Sequence, residues 1–175
     1  MGKSDQLLLK DHIVIPKEHS SGVVKCRVSY GATMGAVIFA NYSAKKVDTV
    51  RQVECEYFDY SFKYQERHKL DRLYHLRGPA DEILITHNGV ITDTSYSNVA
   101  LYDGSQWYTP EQPLLEGTQR ALLLASGKLK KEKIHIANLS DFNQLVLINA
   151  MLEFEIDQSI TVNQIRLWDQ AQVTF

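Results

Sequence analysis

Polar and apolar residues alternate with a period of two near the start of this chain. In GVVKCRVSYGATMGAVIF (residues 22–39), Val24, Cys26 and Val28 interleave with Lys25, Arg27 and Ser29. That pattern predicts a half-buried strand, followed by a second around Ala36 to Phe39. Val47 to Tyr60 reads as further strand leading into Phe62 and Lys63. The period then changes. In YQERHKLDRLYHLRG, Leu70, Leu73 and Leu76 recur at helical spacing among charges, and Gly78 stands where a helix would end.

From Asp81 onward two apolar runs, ILIT and VIT, flank His87-Asn88-Gly89. Asn-Gly between apolar runs predicts a hairpin, because both central residues of a type I′ turn need positive φ. A second hairpin is predicted where NVALY and QWYT flank Asp103-Gly104. After the proline-bearing loop TPEQPLLEG, Thr118 to Ser126 reads as a short helix. Another helix is expected over Asp141 to Leu147, capped by the Ser140 hydroxyl. Strands, helix, two hairpins, helix, helix and strand make a mixed α+β fold, not a βαβ alternation.

The chain has 175 residues, enough for an ordinary core, with 44% hydrophobic and 23% charged residues. A net charge of −2 and a pI of about 6.3 give no footing for nucleic acid or an anionic membrane. The basic run Lys128 to Lys133 (KLKKEK) reads as a solvated loop or helix face. No apolar run nears the roughly 20 residues of a membrane span. MGKSDQLLLKDHIVIP lacks the apolar core of a secretion signal. Cys26 and Cys55 form no CxxC pair, so the reading is a reduced, cytoplasmic protein, with Cys55 as a buried thiol. His68 and His75 share a face of the charged helix and do not have metal-ligand spacing.

Three features offer chemistry. Lys63 ends the apolar DYSFK, with Arg67 four residues on; a lysine among aromatics can lose its proton and act as a nucleophile, although lysines are mostly solvated. Asp93 in GVITDTSYSN lies at the mouth of a hairpin, where it could pair with a protonated ring nitrogen or serve its own turn. In Gly117-Thr118-Gln119-Arg120 a glycine opens a helix whose amides suit a phosphate or a plain cap. An amine, an acid and a phosphate cradle are the three anchors of pyridoxal 5′-phosphate.

In this order the features resemble the class IV aminotransferases, the fold-type IV pyridoxal-phosphate enzymes, which include 4-amino-4-deoxychorismate lyase and branched-chain and D-amino-acid aminotransferases. The likeness runs from about Gly22 to Met151. DEILITHNGVITDTSYSNVALYDGSQWYTP is similar to the family's central block. Asp93 falls where the family has a glutamate on the pyridine nitrogen, a shorter acid of the same charge, and Thr94, Ser95 and Asn98 shape the turn. PLLEGTQR resembles the leucine-x-glycine-x-x-arginine step, which implies a phosphate cradle of Gly117, Thr118 and Gln119. LINAM resembles the Asn-Ala segment of the lyase branch, which implies that Asn149 and Ala150 close the cup.

Two lysines fit the family's amine. HKLDRL, with Lys69, looks superficially like the lyase branch's Lys-His-Leu-Asn-Arg-Leu. Only Lys63, with Arg67, reproduces its four-residue step and nearly its separation from Asp81-Glu82. The resemblance thus implies a lyase or transaminase of a small-molecule amino substrate that works through a Schiff base at Lys63, in a homodimer. It implies a partial small N-terminal α/β domain (1–60) and a larger cofactor-binding domain (61–175) of hairpin-rich sheets with helices. The family's usual first stretch would precede MGKSDQ, and Tyr30 stands where some relatives read a carboxylate with arginine, while Arg27 reads as a structural strand residue. The alternative is a shortened, non-catalytic domain with weak or no cofactor binding.

Overall fold

The computed structural model describes residues 9–152, 154, 156–167 and 173–175. The first eight residues, on which the reading of the secretion signal partly rests, lie outside these. The strands are β1 (Val24–Tyr30), β2 (Met34–Asn41), β3 (Val50–Glu54), β4 (Glu82–His87), β5 (Val90–Ile91), β6 (Asn98–Tyr102), β7 (Trp107–Pro110), β8 (Lys130–Glu132), β9 (Gln144–Ile148), β10 (Ile160–Thr161) and β11 (Ile165–Arg166). The α-helices are α1 (His68–His75) and α2 (Thr118–Ala125).

The backbone divides into two compact units, 1–44 and 45–175. In the first, β1 and β2 form an antiparallel hairpin with Val24 opposite Asn41. Arg27 pairs with Ile38 there, and Tyr30 is exposed. The division falls before residue 60 because β3 belongs to the second unit: it runs parallel to β4, with Val50 opposite Glu82. The extended stretch expected over Val47 to Tyr60 narrows to β3 for the same reason, with Cys55 adding a single parallel bridge to Val173.

The second unit holds a four-stranded sheet, β11-β3-β4-β5, and a five-stranded sheet, β10-β9-β6-β7-β8. Val50, Leu84 and Ile91 of the first meet Val99, Leu101 and Leu145 of the second in one apolar cluster. Leu70 and Leu73 of α1 cover the opposite side of the four-stranded sheet, on Val53, Ile83 and Ile85. Leu123 of α2 covers the five-stranded sheet, on Ala100, Val146 and Ile148. Strands buried on both faces read as continuous apolar runs, and ILI of β4 does so. Cys55 lies in the α1 cluster, its thiol pushed up to about 12 by burial.

Both predicted hairpins form. Asn88 and Gly89 take the expected positive φ, 49° and 73°. A side chain on Gly89 would also overlap the His135 ring. The second hairpin is looser: the Asp103 carboxylate accepts from the Ser105 and Gln106 amides, each at 2.7 Å. The helix expected over 141–147 is not one. Gln144–Ile148 is β9, paired along all of β6 from Asn98↔Ile148 to Tyr102↔Gln144. A short apolar run fits either element by pattern alone, and burial in the sheet decides it. Ser140 lies in a 3₁₀ turn, Ile136–Asp141, whose cap is the His135 ring instead. Within the basic run, Lys130–Glu132 is a strand, β8, not a loop or helix; it is solvated as expected, exposed along its length at the sheet edge, where charge discourages edge-to-edge pairing. Among the described residues no helix is long and apolar enough to cross a membrane.

Candidate active site

Residues 92–97 carry the chain from β5 in one sheet to β6 in the other, so their polar groups lie at the junction of the two sheets. Thr92, Asp93, Thr94, Ser95 and Ser97 are all buried. The β4 pairing continues into this crossing, as the Ile85 amide donates to the Asp93 carbonyl at 2.8 Å. Thr94 then closes the turn on itself. Its amide and hydroxyl donate to the Ser97 carbonyl at 2.9 and 3.0 Å, and the Ser97 amide returns a bond to Thr94 Oγ1.

Asp93 is held from two sides. Asn98 Nδ2 donates to Oδ1 at 2.7 Å, and the Leu115 amide donates to Oδ2 at 3.0 Å. The same Asn98 amide also reaches the Leu115 carbonyl at 2.7 Å, so the strand start and the loop before α2 are pinned together. Burial pushes the Asp93 carboxyl up to about 7, against the lowering pull of Asn98, the Leu115 and Leu114 amides and Arg120. Arg120 is fully buried. It donates to Thr109 Oγ1 at 3.2 Å, to the Pro110 carbonyl at 2.7 Å and to Glu116.

The raised carboxyl has a consequence for stability. Asp93 is protonated more readily in the folded chain than in the unfolded one, so the folded state binds more protons between pH 3.8 and about 7. Stability should therefore fall as pH rises through that window and level off above it. Asp59, Asp81 and Asp103 are shifted the other way, and their contributions are lost only below the ordinary carboxylate range. Melting curves of Asp93→Asn across this window should be flatter than those of the wild type. An unchanged slope would contradict the assignment.

Several residues singled out from sequence meet here. Arg67 Nη2 donates to the Ser95 carbonyl at 2.5 Å, tying the loop before α1 to the Asp93 turn. Asn149 Nδ2 donates to Ser97 Oγ at 2.9 Å, and its Oδ1 accepts from the Met151 amide. Gly117 packs so tightly on Asn98 that a Cβ there would overlap Oδ1. One hydrogen-bonded and packed network thus joins Arg67, Asp93, Thr94, Ser95, Gly117 and Asn149.

Gly117 is the N-cap of α2, and no side chain caps the helix, so the first-turn amides at Thr118 and Gln119 are suited to an anion. Thr118 and Ala150 are exposed, and Gln119 is half-buried. Lys63 is exposed in the loop between β3 and α1. The rival Lys69 is on α1, its ammonium over the Phe58 and Phe175 rings at 5.5 and 5.2 Å. A cavity of about 260 Å³ opens beside this loop, lined among others by Tyr60, Tyr64, Arg67 and Lys69.

Two network members were not singled out as site residues. Glu82 is almost fully buried, accepting on Oε1 from the Ile83 amide at 3.0 Å and the Ser95 amide at 3.3 Å. Its only sequence signal is a carboxylate at the head of the apolar ILI. Ser97 reads as an ordinary turn residue until Asn149 is found on its hydroxyl.

Residues 61–156 match the family described as "Amino-transferase class IV". An uncharacterised protein of Haemophilus influenzae is 37% identical over 139 residues, covering 79% of this chain and 74% of that protein. A solved structure from Haemophilus somnus 129PT, provisionally named a 4-amino-4-deoxychorismate lyase, is 36% identical with a TM-score of 0.72, covering 76% of this chain and 69% of that one. A hypothetical aminotransferase from Mycobacterium tuberculosis in its PLP-bound form shares the fold at 16% identity and a TM-score of 0.62, covering 81% and 60% of the two chains.

Proposed function

The chain belongs to the class IV aminotransferase family, and we propose that it is a pyridoxal-phosphate-dependent enzyme acting on a small amino substrate, with Lys63 as its catalytic amine. The observation that carries this reading is the bond from Arg67 to the Ser95 carbonyl. It fastens the Lys63 loop to the turn that holds a buried acid. Arg67 lies four residues after Lys63, so the bond anchors the end of the Lys63 loop to the Asp93 turn.

The residues present suit the cofactor. Its phosphate would take the first-turn amides of α2 at Thr118 and Gln119, where Gly117 leaves no side-chain acceptor to compete. Asn149 and Ala150 would lie beside it. Asp93 would take the protonated ring nitrogen. A carboxyl raised to about 7 by burial is returned to its ionised form by a cation placed against it. Thr94 and Ser95 keep that carboxylate in place through the closed turn, and Arg67 keeps the loop on it. Lys63 would be the amine that holds the cofactor and the base that moves the proton at the substrate's α-carbon. When bound, pyridoxal phosphate supplies an electron-withdrawing ring that makes this proton removable.

Lyase and transaminase share these steps, and the likeness to a protein provisionally named a lyase supports the lyase branch. The test is product analysis on purified protein with added pyridoxal phosphate. Aminodeoxychorismate should be cleaved. Amino transfer from an amino acid to a 2-oxo acid would point to the transaminase branch, and neither product would contradict the enzymatic reading. A homodimer belongs to the same proposal, and sedimentation checks it. A reducing, cytoplasmic setting suits the two free cysteines.

A further inference from the structure

Glu82 has no place in the chemistry above, yet its carboxylate is among the most deeply buried groups in the chain, only 1% exposed. It heads β4, opposite Val50, in a strand that is otherwise apolar over Ile83 to Ile85. A carboxylate at such a position costs stability unless its oxygens are satisfied. Here Oε1 takes the Ile83 amide at 3.0 Å and the Ser95 amide at 3.3 Å. The second donor lies thirteen positions on in the chain. The carbonyl of the same Ser95 receives Arg67.

We propose that Glu82 is a positioning residue: by holding the amide of Ser95 it aims the Ser95 carbonyl at Arg67 and so fixes the loop that carries Lys63. The path runs from the floor of the sheet, through a single residue of the Asp93 turn, to the loop before α1. Through this path Glu82 acts on the loop that carries Lys63. Another acceptor of the same shape preserves the effect, and an apolar side chain of the same length abolishes it. The inference rests on the function proposed above only where it concerns the cofactor; the tether itself is independent of that reading.

Trypsin tests this, because it must draw an arginine side chain into its specificity pocket, and an Arg67 held on Ser95 is withheld from it. In the full chain, Glu82→Met should speed cleavage after Arg67 by about tenfold or more, the scale expected when a buried donor loses its acceptor. Cleavage at the lysines of the first unit is the internal reference and should not change. Glu82→Gln keeps an acceptor and should stay within about twofold of wild type. Should Glu82→Met fail to fold, Glu82→Asp keeps the charge and withdraws the carboxylate from the Ser95 amide by one methylene; it should speed cleavage after Arg67 several-fold. Pyridoxal-phosphate affinity, read by absorbance titration, should fall in Glu82→Met and be retained in Glu82→Gln.

Unchanged cleavage after Arg67 in Glu82→Met or Glu82→Asp would overturn the proposal. So would acceleration shared by the reference sites, or a Glu82→Gln variant as loose as Glu82→Met. A wild type that binds no pyridoxal phosphate would overturn the proposed function and leave the cleavage result standing. The two failures are therefore distinguishable.

Discussion

Replacing Lys63 by alanine should reduce turnover by on the order of a thousandfold or more, the scale expected for loss of one positioned proton-transfer group, while the fold stays intact. The two halves of this expectation rest on different observations. Lys63 is exposed, and surface substitutions usually change stability by about 0.5 kcal/mol or less, so its melting temperature should be close to wild type. Activity should fall steeply because the residue is assigned both the covalent attachment and the proton transfer. Lys69→Ala provides the control: its ammonium lies over two aromatic rings, and the variant should lose only the modest energy of those contacts. Equal losses in the two variants, or activity retained in Lys63→Ala, would count against the assignment.

Gly117→Ala should be the most damaging small substitution in the chain. The added methyl group would overlap Asn98 Oδ1. Asn98 cannot yield, because its Nδ2 is committed to both Asp93 and the Leu115 carbonyl. Either the loop before α2 moves away or both bonds are lost. Overpacking together with an orphaned buried group costs about 3 kcal/mol, or roughly 10 °C in melting temperature for a chain of this size. Cofactor binding should weaken with it, since the same loop sets the first turn of α2. A double-mutant cycle separates the causes. With Asn98→Ala already in place the overlap is gone, so Gly117→Ala should then cost about 1 kcal/mol or less. A cost as large as in the wild-type background would show that Asn98 is not what the methyl group meets.

Much of this site was legible because its residues serve local backbone needs that sequence displays. Asn88-Gly89 marks a turn that only positive φ can make. Gly117 stands at the head of a helix, and Asp93 lies among hydroxyls at a hairpin mouth. The structure joins the last two through Asn98. The parts that could not be read depend on neighbours distant in the chain. QLVLI fits a helix or a buried strand equally, and only its pairing with β6 makes it β9. β3 looks like the end of one domain until its parallel partner, which places Glu82 opposite Val50, draws it into the other. Glu82 is hidden for a related reason: a glutamate before an apolar run normally marks the solvated end of a strand. Its burial follows from Ser95 reaching back across the sheet junction.

The central claim is that Lys63, and not another lysine, bonds to the cofactor. Borohydride reduction of the purified protein in the presence of pyridoxal phosphate, followed by digestion and peptide mass mapping, tests it most directly. Reduction makes the link between lysine and cofactor permanent, so its position is read from a peptide mass independently of turnover. Attachment at Lys63, absent in the Lys63→Ala variant, is the expected result. Attachment at Lys69 would move the catalytic amine onto α1, and no attachment at any lysine would mean that this chain does not carry out the chemistry proposed for it.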